Sequence, residues 1–128
     1  TVQNFFFFFY STDRIITIYY NKAAEFPATL NELADFAKAL SHPARTQILK
    51  TVAKRGECVC GEIVDVMPLA QSTVSQHLKD LKGIGLIKGE TEGKTSCYCI
   101  DWKAMKRFKS LASQFFEEME KFEKSNCC

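Results

Sequence analysis

Between Gln71 and Ile100 the hydrophobic pattern changes period once, and that change limits what the chain can fold into more than any other feature. From Gln71 to Lys82 the apolar residues Val74, Leu78 and Leu81 recur at helical spacing. Gly83 and Gly85 break the helix. Leu86 to Glu90 and Thr95 to Ile100 then read as two strands, joined by a turn at Thr91 to Lys94 that contains Gly93. Alternation along the second strand sends Tyr98 and Ile100 to the core side and Cys97 and Cys99 away from it.

Upstream of this unit, Leu30, Leu33, Ala34, Ala37 and Leu40 predict one amphipathic helix starting at Ala28. Ser41-His42-Pro43 ends it and opens a second, with Pro43 at a first helical position. Ile48, Leu49 and Val52 mark the buried face of that second helix, which Gly56 closes. A short helix is expected around Gly61 to Val66, stopped by Pro68. The order helix, helix, short helix, helix, hairpin is that of a winged helix-turn-helix: mainly α, with a small β-hairpin wing.

The final helix, from Trp102 to about Lys124, carries Met105, Phe108, Ala112, Phe115, Met119 and Phe122 in alternating steps of three and four. Such a seam repeats near 3.5 residues and runs past the compact domain, so it calls for a partner helix. A second copy of the chain is the simplest partner, which predicts a homodimer formed through terminal helices. Three segments result: an N-terminal extension over 1–27, a winged-helix domain over 28–101, and a dimerisation helix with a Cys-Cys tail over 102–128. In the extension, Phe5 to Phe9 and Ile15 to Tyr20 are β-prone and sticky. It is either an arm in the dimer interface or a segment outside the working domain, and no role is assigned to it.

The net charge of +2 is uninformative by itself, but its distribution is not. Between Gln71 and Lys109 eight basic residues stand against four acidic ones, the electrostatic footprint of a nucleic-acid face. Within it, the outward positions of the helix are Gln71, Ser72, Thr73, Ser75, Gln76, His77 and Lys79. Short hydroxyl and amide groups suit close approach to base edges in a major groove that admits a helix. Gln71, Ser72, Thr73, Ser75 and Gln76 are therefore expected to read sequence in double-stranded DNA. Lys79 and the wing residues Lys88 and Lys94 are expected to meet phosphate.

Six cysteines fall in three close pairs: Cys58 with Cys60, Cys97 with Cys99, and Cys127 with Cys128. No signal peptide precedes them, and the apolar run from Phe5 to Tyr10 is far short of the about twenty residues a membrane span needs. The expectation is a cytoplasmic protein without a membrane partner, where paired thiols bind metal or do redox chemistry. A thiol enzyme is not expected, because no Cys-X-X-Cys lies in a strand–helix context and no cofactor loop appears.

Ala39-Leu40-Ser41-His42-Pro43-Ala44-Arg45, Cys58-Val59-Cys60, Ser72 to Lys79 and Gly85-Leu86-Ile87 together resemble the ArsR/SmtB family of metal-responsive repressors, over about Glu32 to Phe122. The resemblance implies a dimeric winged-helix repressor that binds a palindromic operator and lets go when a metal or metalloid binds. It also implies that Cys58 and Cys60 hold arsenite or antimonite, as soft thiolates select soft ions. Arsenite uses three sulfurs, so a third donor is needed: Cys127 or Cys128 from the tail, or the rival pair Cys97 and Cys99. The family's zinc sensors use carboxylate and His ligands on the final helix. Here that region offers Asp101, Lys103, Gln114 and Glu117 without His, which argues against such a site. An all-cysteine zinc site from Cys58, Cys60, Cys97 and Cys99 stays open, and so does thiol-redox sensing without a metal, through Cys127-Cys128. One local departure is Ala70, where the family often has a helix-capping Ser.

Overall fold

The computed structural model describes residues 25–56, 58–60, 63–90 and 97–123. Thr1–Asn31 and Glu32–Cys128 form two compact units. In the first, the Leu30 and Asn31 amides donate to the Pro27 carbonyl at 3.0 and 3.2 Å, which starts helix α1 (Ala28–Ala37).

In the second unit, α1 does not run on to Leu40 as one helix. Lys38–Leu40 tightens into a 3-10 turn, and Ser41 closes it by donating to the Lys38 carbonyl from both its amide (3.3 Å) and its hydroxyl (2.7 Å). α2 (Pro43–Arg55) follows, with Pro43 in its first turn and His42 as its cap. The His42 ring nitrogen Nδ1 accepts the Ala44 amide at 3.1 Å, one of the donors a helix start leaves unpaired. Gly56 stops α2 at φ 70°, a left-handed conformation that a Cβ disfavours.

β1 (Val59–Cys60) comes next, then turns over 63–66 where a short helix was expected. β1 is recruited as a third strand of the sheet. α3 (Gln71–Ile84) ends at Gly85, φ 93°, and leads into β2 (Ile87–Glu90), β3 (Cys97–Ile100) and α4 (Trp102–Glu123). The wing is thus not a two-stranded hairpin alone but an antiparallel sheet of order β1-β3-β2. Gly89 sits opposite Tyr98 so closely that a Cβ there would run into the Cys97 carbonyl oxygen.

The core gathers one face of each helix and of β2 and β3. Ile48 and Val52 of α2, Val74 and Leu81 of α3, and Leu86 beside the sheet are fully buried. Burying each such side chain contributes about 1.5–3 kcal/mol. Tyr98 and Ile100 of β3 point inward as alternation predicts, while Cys97 and Cys99 stay half-buried on the other face. α4 is anchored by its first half: Leu111 is buried, and Phe108 stacks on Phe36 with centroids 5.3 Å apart. Its second half leaves Phe115, Phe116, Met119 and Phe122 exposed, between 40% and 62%.

Candidate nucleic-acid interface and thiol cluster

α3 turns Val74, Leu78 and Leu81 into the core and leaves Gln71, Ser72, Thr73, Gln76 and Lys79 exposed, with Ser75 and His77 half-buried. Ser72, Gln76 and Lys79 are separated by four and three residues, so they form one stripe along the helix. Gln76 is steadied by its own helix, its side-chain amide donating to Asp80 at 3.0 Å. The start of α3 has no side-chain cap. Ala70 stands at the N-cap position, and only its carbonyl serves the helix, accepting from Thr73 and Val74 at 3.0 and 3.1 Å.

His77 is the residue of this set whose position sequence alone did not indicate. Its ring packs against that of His42, centroids 4.5 Å apart and tilted by 38°. Its Nδ1 is buried with no hydrogen-bond partner among the described residues. The contact ties the middle of α3 to the start of α2.

On the wing, Lys88 is exposed and its ammonium lies 3.7 Å from Asp101. Asp101 was not singled out as a structural residue, yet it caps α4: one carboxylate oxygen accepts the amides of Lys103 and Ala104, both at 3.1 Å. The Ala104 hydrogen bond, helped by the charge of Lys88, holds the Asp101 carboxyl below its usual range. An acidic residue just before a helical pattern was the signal that could have found it. Lys94, Cys127 and Cys128 lie outside the described residues.

The sheet brings cysteine positions from two strands into register. β1 pairs with β3 so that Val59 faces Tyr98 and Cys60 faces Cys97. One step further along the ladder, Cys58 and Cys99 form a disulfide with their Cα atoms 4.6 Å apart, and Cys97 is also disulfide-bonded. Cys58 is exposed. The donor set on this face is soft sulfur, suited to thiophilic ions in the reduced protein. In the disulfide-bonded state no group of three or more His, Cys, Asp or Glu among the described residues is arranged to hold a metal ion. Asp101, the first carboxylate of the final-helix region, is already engaged in capping and with Lys88.

Comparison with known proteins agrees with the winged helix-turn-helix arrangement. Residues 42–88, from the His42 cap to Lys88 on the wing, match the family described as "Bacterial regulatory protein, arsR family". A helix-turn-helix transcriptional regulator of Methanocaldococcus jannaschii is 41% identical over 68 residues, 52% of this chain and 75% of that protein. A cadmium resistance transcriptional regulatory protein, the CadC homolog of Staphylococcus aureus, is 34% identical over 77 residues, 59% of this chain and 63% of that one. Among solved structures, an ArsR-like transcriptional regulator from Rhodococcus sp. RHA1 superposes with a TM-score of 0.62 at 19% identity, covering 77% of this chain and 92% of that one. These are transcriptional regulators, not enzymes. Among the described residues no helix is long and apolar enough to cross a membrane. With the winged helix-turn-helix in place and the matched segment spanning its recognition helix, the chain belongs to the ArsR/SmtB family of helix-turn-helix transcriptional regulators.

Proposed function

We propose that this chain is a cytoplasmic, homodimeric repressor that binds a palindromic DNA operator and releases it when arsenite or antimonite binds the thiolates of Cys58 and Cys60. The observation that carries the reading is the position of the soft-donor face. It lies on the sheet that brackets α3, with β1 before the recognition helix in sequence and β2 directly after it. The exposed face of α3 supports base reading by Gln71, Ser72, Thr73 and Gln76, with half-buried Ser75 beside them, and phosphate contact by Lys79. Exposed Lys88 on β2 supports a second phosphate contact, Lys94 is proposed as a further one from outside the described residues, and His77 steadies the helix through His42. The half of α4 that carries exposed Phe115, Met119 and Phe122 supports dimerisation along that helix.

Fluorescence anisotropy on an operator duplex, at fixed salt and under reducing conditions, tests the switch by titrating arsenite, antimonite, zinc and cadmium separately. Arsenite or antimonite should release the DNA. The Cys58→Ser and Cys60→Ser variants should bind DNA yet no longer respond, and a variant that still dissociates normally with arsenite would refute the assignment. The disulfide between Cys58 and Cys99 favours a second reading, a thiol-redox repressor without a metal effector. Indifference to all four ions, with release when a peroxide takes two electrons and two protons from a thiol pair, would select it. Release by zinc alone would point instead to a zinc site among the four sheet cysteines.

A further inference from the structure

We infer that the β3 cysteines, Cys97 and Cys99, supply the third sulfur to the effector held by Cys58 and Cys60, an inference that rests on the effector reading proposed above. The argument begins with the ladder. Val59 faces Tyr98 and Cys60 faces Cys97, so position 58 falls opposite 99. The Cα separation of 4.6 Å between Cys58 and Cys99 is that of a non-hydrogen-bonded antiparallel pair, about 4.5 Å, where side chains stand closest. Positions two apart on a strand share a face and lie about 6.6–6.8 Å from one another. The four cysteine positions 58, 60, 97 and 99 therefore make a two-by-two grid on the face opposite Tyr98 and Ile100, which fill the core.

This grid is sized for one ion. Cys58 and Cys99 reach each other covalently from the backbone as it stands. An ion with metal–sulfur bonds of about 2.3 Å holds its sulfurs about 3.8 Å apart. Rotating the side chains of such a pair opens that gap without moving a strand. When reduced protein meets arsenite, three thiols replace the three hydroxyls on arsenic: three S–As bonds form, three As–O bonds break, and three waters leave. No electrons are transferred. The Cys58–Cys99 disulfide and the arsenic thus compete for the same sulfurs, and reduction must precede binding.

The rival donors of the same subunit reach the site only with the tail almost fully stretched. α4 starts one residue after β3, and its 22 residues carry the chain about 32 Å from Trp102 to Glu123. The far end of α4 therefore stands no closer than about 20 Å to Cys99, whereas the five residues from Glu123 to Cys128 span about 18 Å when fully stretched. A tail held at that limit would also lose most of its conformational freedom, while the β3 positions are already fixed by the ladder.

The test is cysteine footprinting on the fully reduced, full-length chain. After sodium arsenite is added without oxygen, the thiols are alkylated and the labelled peptides are read by mass spectrometry. Cys58, Cys60 and one equivalent shared between Cys97 and Cys99 should be protected, with Cys127 and Cys128 fully labelled. The Cys97→Ser/Cys99→Ser double variant should bind arsenite about a hundredfold more weakly, since a three-point chelate becomes two-point. It should still bind operator, which reports its fold, and Cys127→Ser/Cys128→Ser should match the parent chain. Should the β3 double variant fail to fold, the parent chain's protection pattern decides alone. Protection of Cys127 or Cys128 in place of the β3 pair, from the same subunit or its partner, would overturn this inference and leave Cys58 and Cys60 as the effector site. Undiminished arsenite binding by Cys58→Ser/Cys60→Ser would overturn the effector reading and this inference together.

Discussion

Replacing Ala70 with serine should stabilise the protein by giving the recognition helix the side-chain cap it lacks. Residue 70 already has the extended backbone of an N-cap residue, φ −61° and ψ 145°, and is exposed, so a serine enters without moving the chain or meeting the core. The Ala70 carbonyl already takes the Thr73 amide at 3.0 Å, which leaves the Ser72 amide as the natural donor to a new Oγ. Side-chain caps of this kind contribute about 1 kcal/mol. For a domain of roughly 100 residues that raises the midpoint of thermal unfolding by about 4 °C. The assay is thermal unfolding of Ala70→Ser beside the parent chain, reduced and at one protein concentration, because association between copies would make the midpoint move with concentration. An unchanged or lower midpoint would mean that the first-turn amides are already satisfied, and the reasoning from Ala70 would fail.

Three further outcomes are expected. Gly85→Ala should cost about 1–2 kcal/mol in urea unfolding, purely from forcing an alanine to φ 93°, since nothing lies within 4 Å of the added Cβ; a loss of only a few tenths would refute this. The Arg107 guanidinium, donating to Glu32 at 2.8 and 3.0 Å, holds the Glu32 carboxyl below its ordinary range. That pair therefore stabilises the fold above about pH 4.3 and ceases to as pH falls through the lowered value, so Arg107→Gln should flatten the acid limb of the stability profile and added salt should weaken it in the parent; identical limbs would refute it. Finally, Phe115→Glu/Met119→Glu should shift sedimentation equilibrium from dimer to monomer, as each apolar side chain is worth about 1.5–3 kcal/mol when buried; an intact dimer would place the interface elsewhere.

α2 and α3 were legible because each carries its own period and its own stop, although Gly83, read as a breaker with Gly85, lies inside α3. Pro43, Gly56 and Gly85 mark α2 and α3 correctly, and the two glycines do so for a physical reason, their left-handed φ of 70° and 93°. The inward side of β3 was equally readable from the alternation of Tyr98 and Ile100. β1 was not. A two-residue strand is too short to show any period, and it exists only because β3 offers it an edge. The thiol pairing was invisible for the same reason: Cys58 and Cys99 are 41 residues apart, and no local pattern reports such a contact. His77 reads as part of a polar face; the structure adds a ring contact with His42 from the preceding junction, a tertiary contact that no local pattern reports.

The sheet also indicates why sulfur chemistry at this place would be felt at the DNA face. β3 is the middle strand, β1 is one edge, and β2 is the other. β2 is joined to α3 by two residues, Gly85 and the fully buried Leu86, whose amides both donate back to the Leu81 carbonyl at 3.1 and 3.3 Å. Leu86 in turn accepts the Asp101 amide at 2.9 Å, locking the end of β3 to the end of the recognition helix. β1 leads through 61–70 to the other end of that helix. An ion that ties β1 to β3 would therefore constrain α3 from both ends, against packed residues that do not yield gradually. A ligand shifts the DNA-binding equilibrium only by its differential affinity for the two conformations, and operator binding must weaken the ion by the same factor. A sulfur donated by a tail would tether only the β1 side and leave the β2 end of α3 unconstrained. On the proposed reading, the coupling between arsenite and operator, measured both ways round, should therefore fall when the β3 cysteines are replaced.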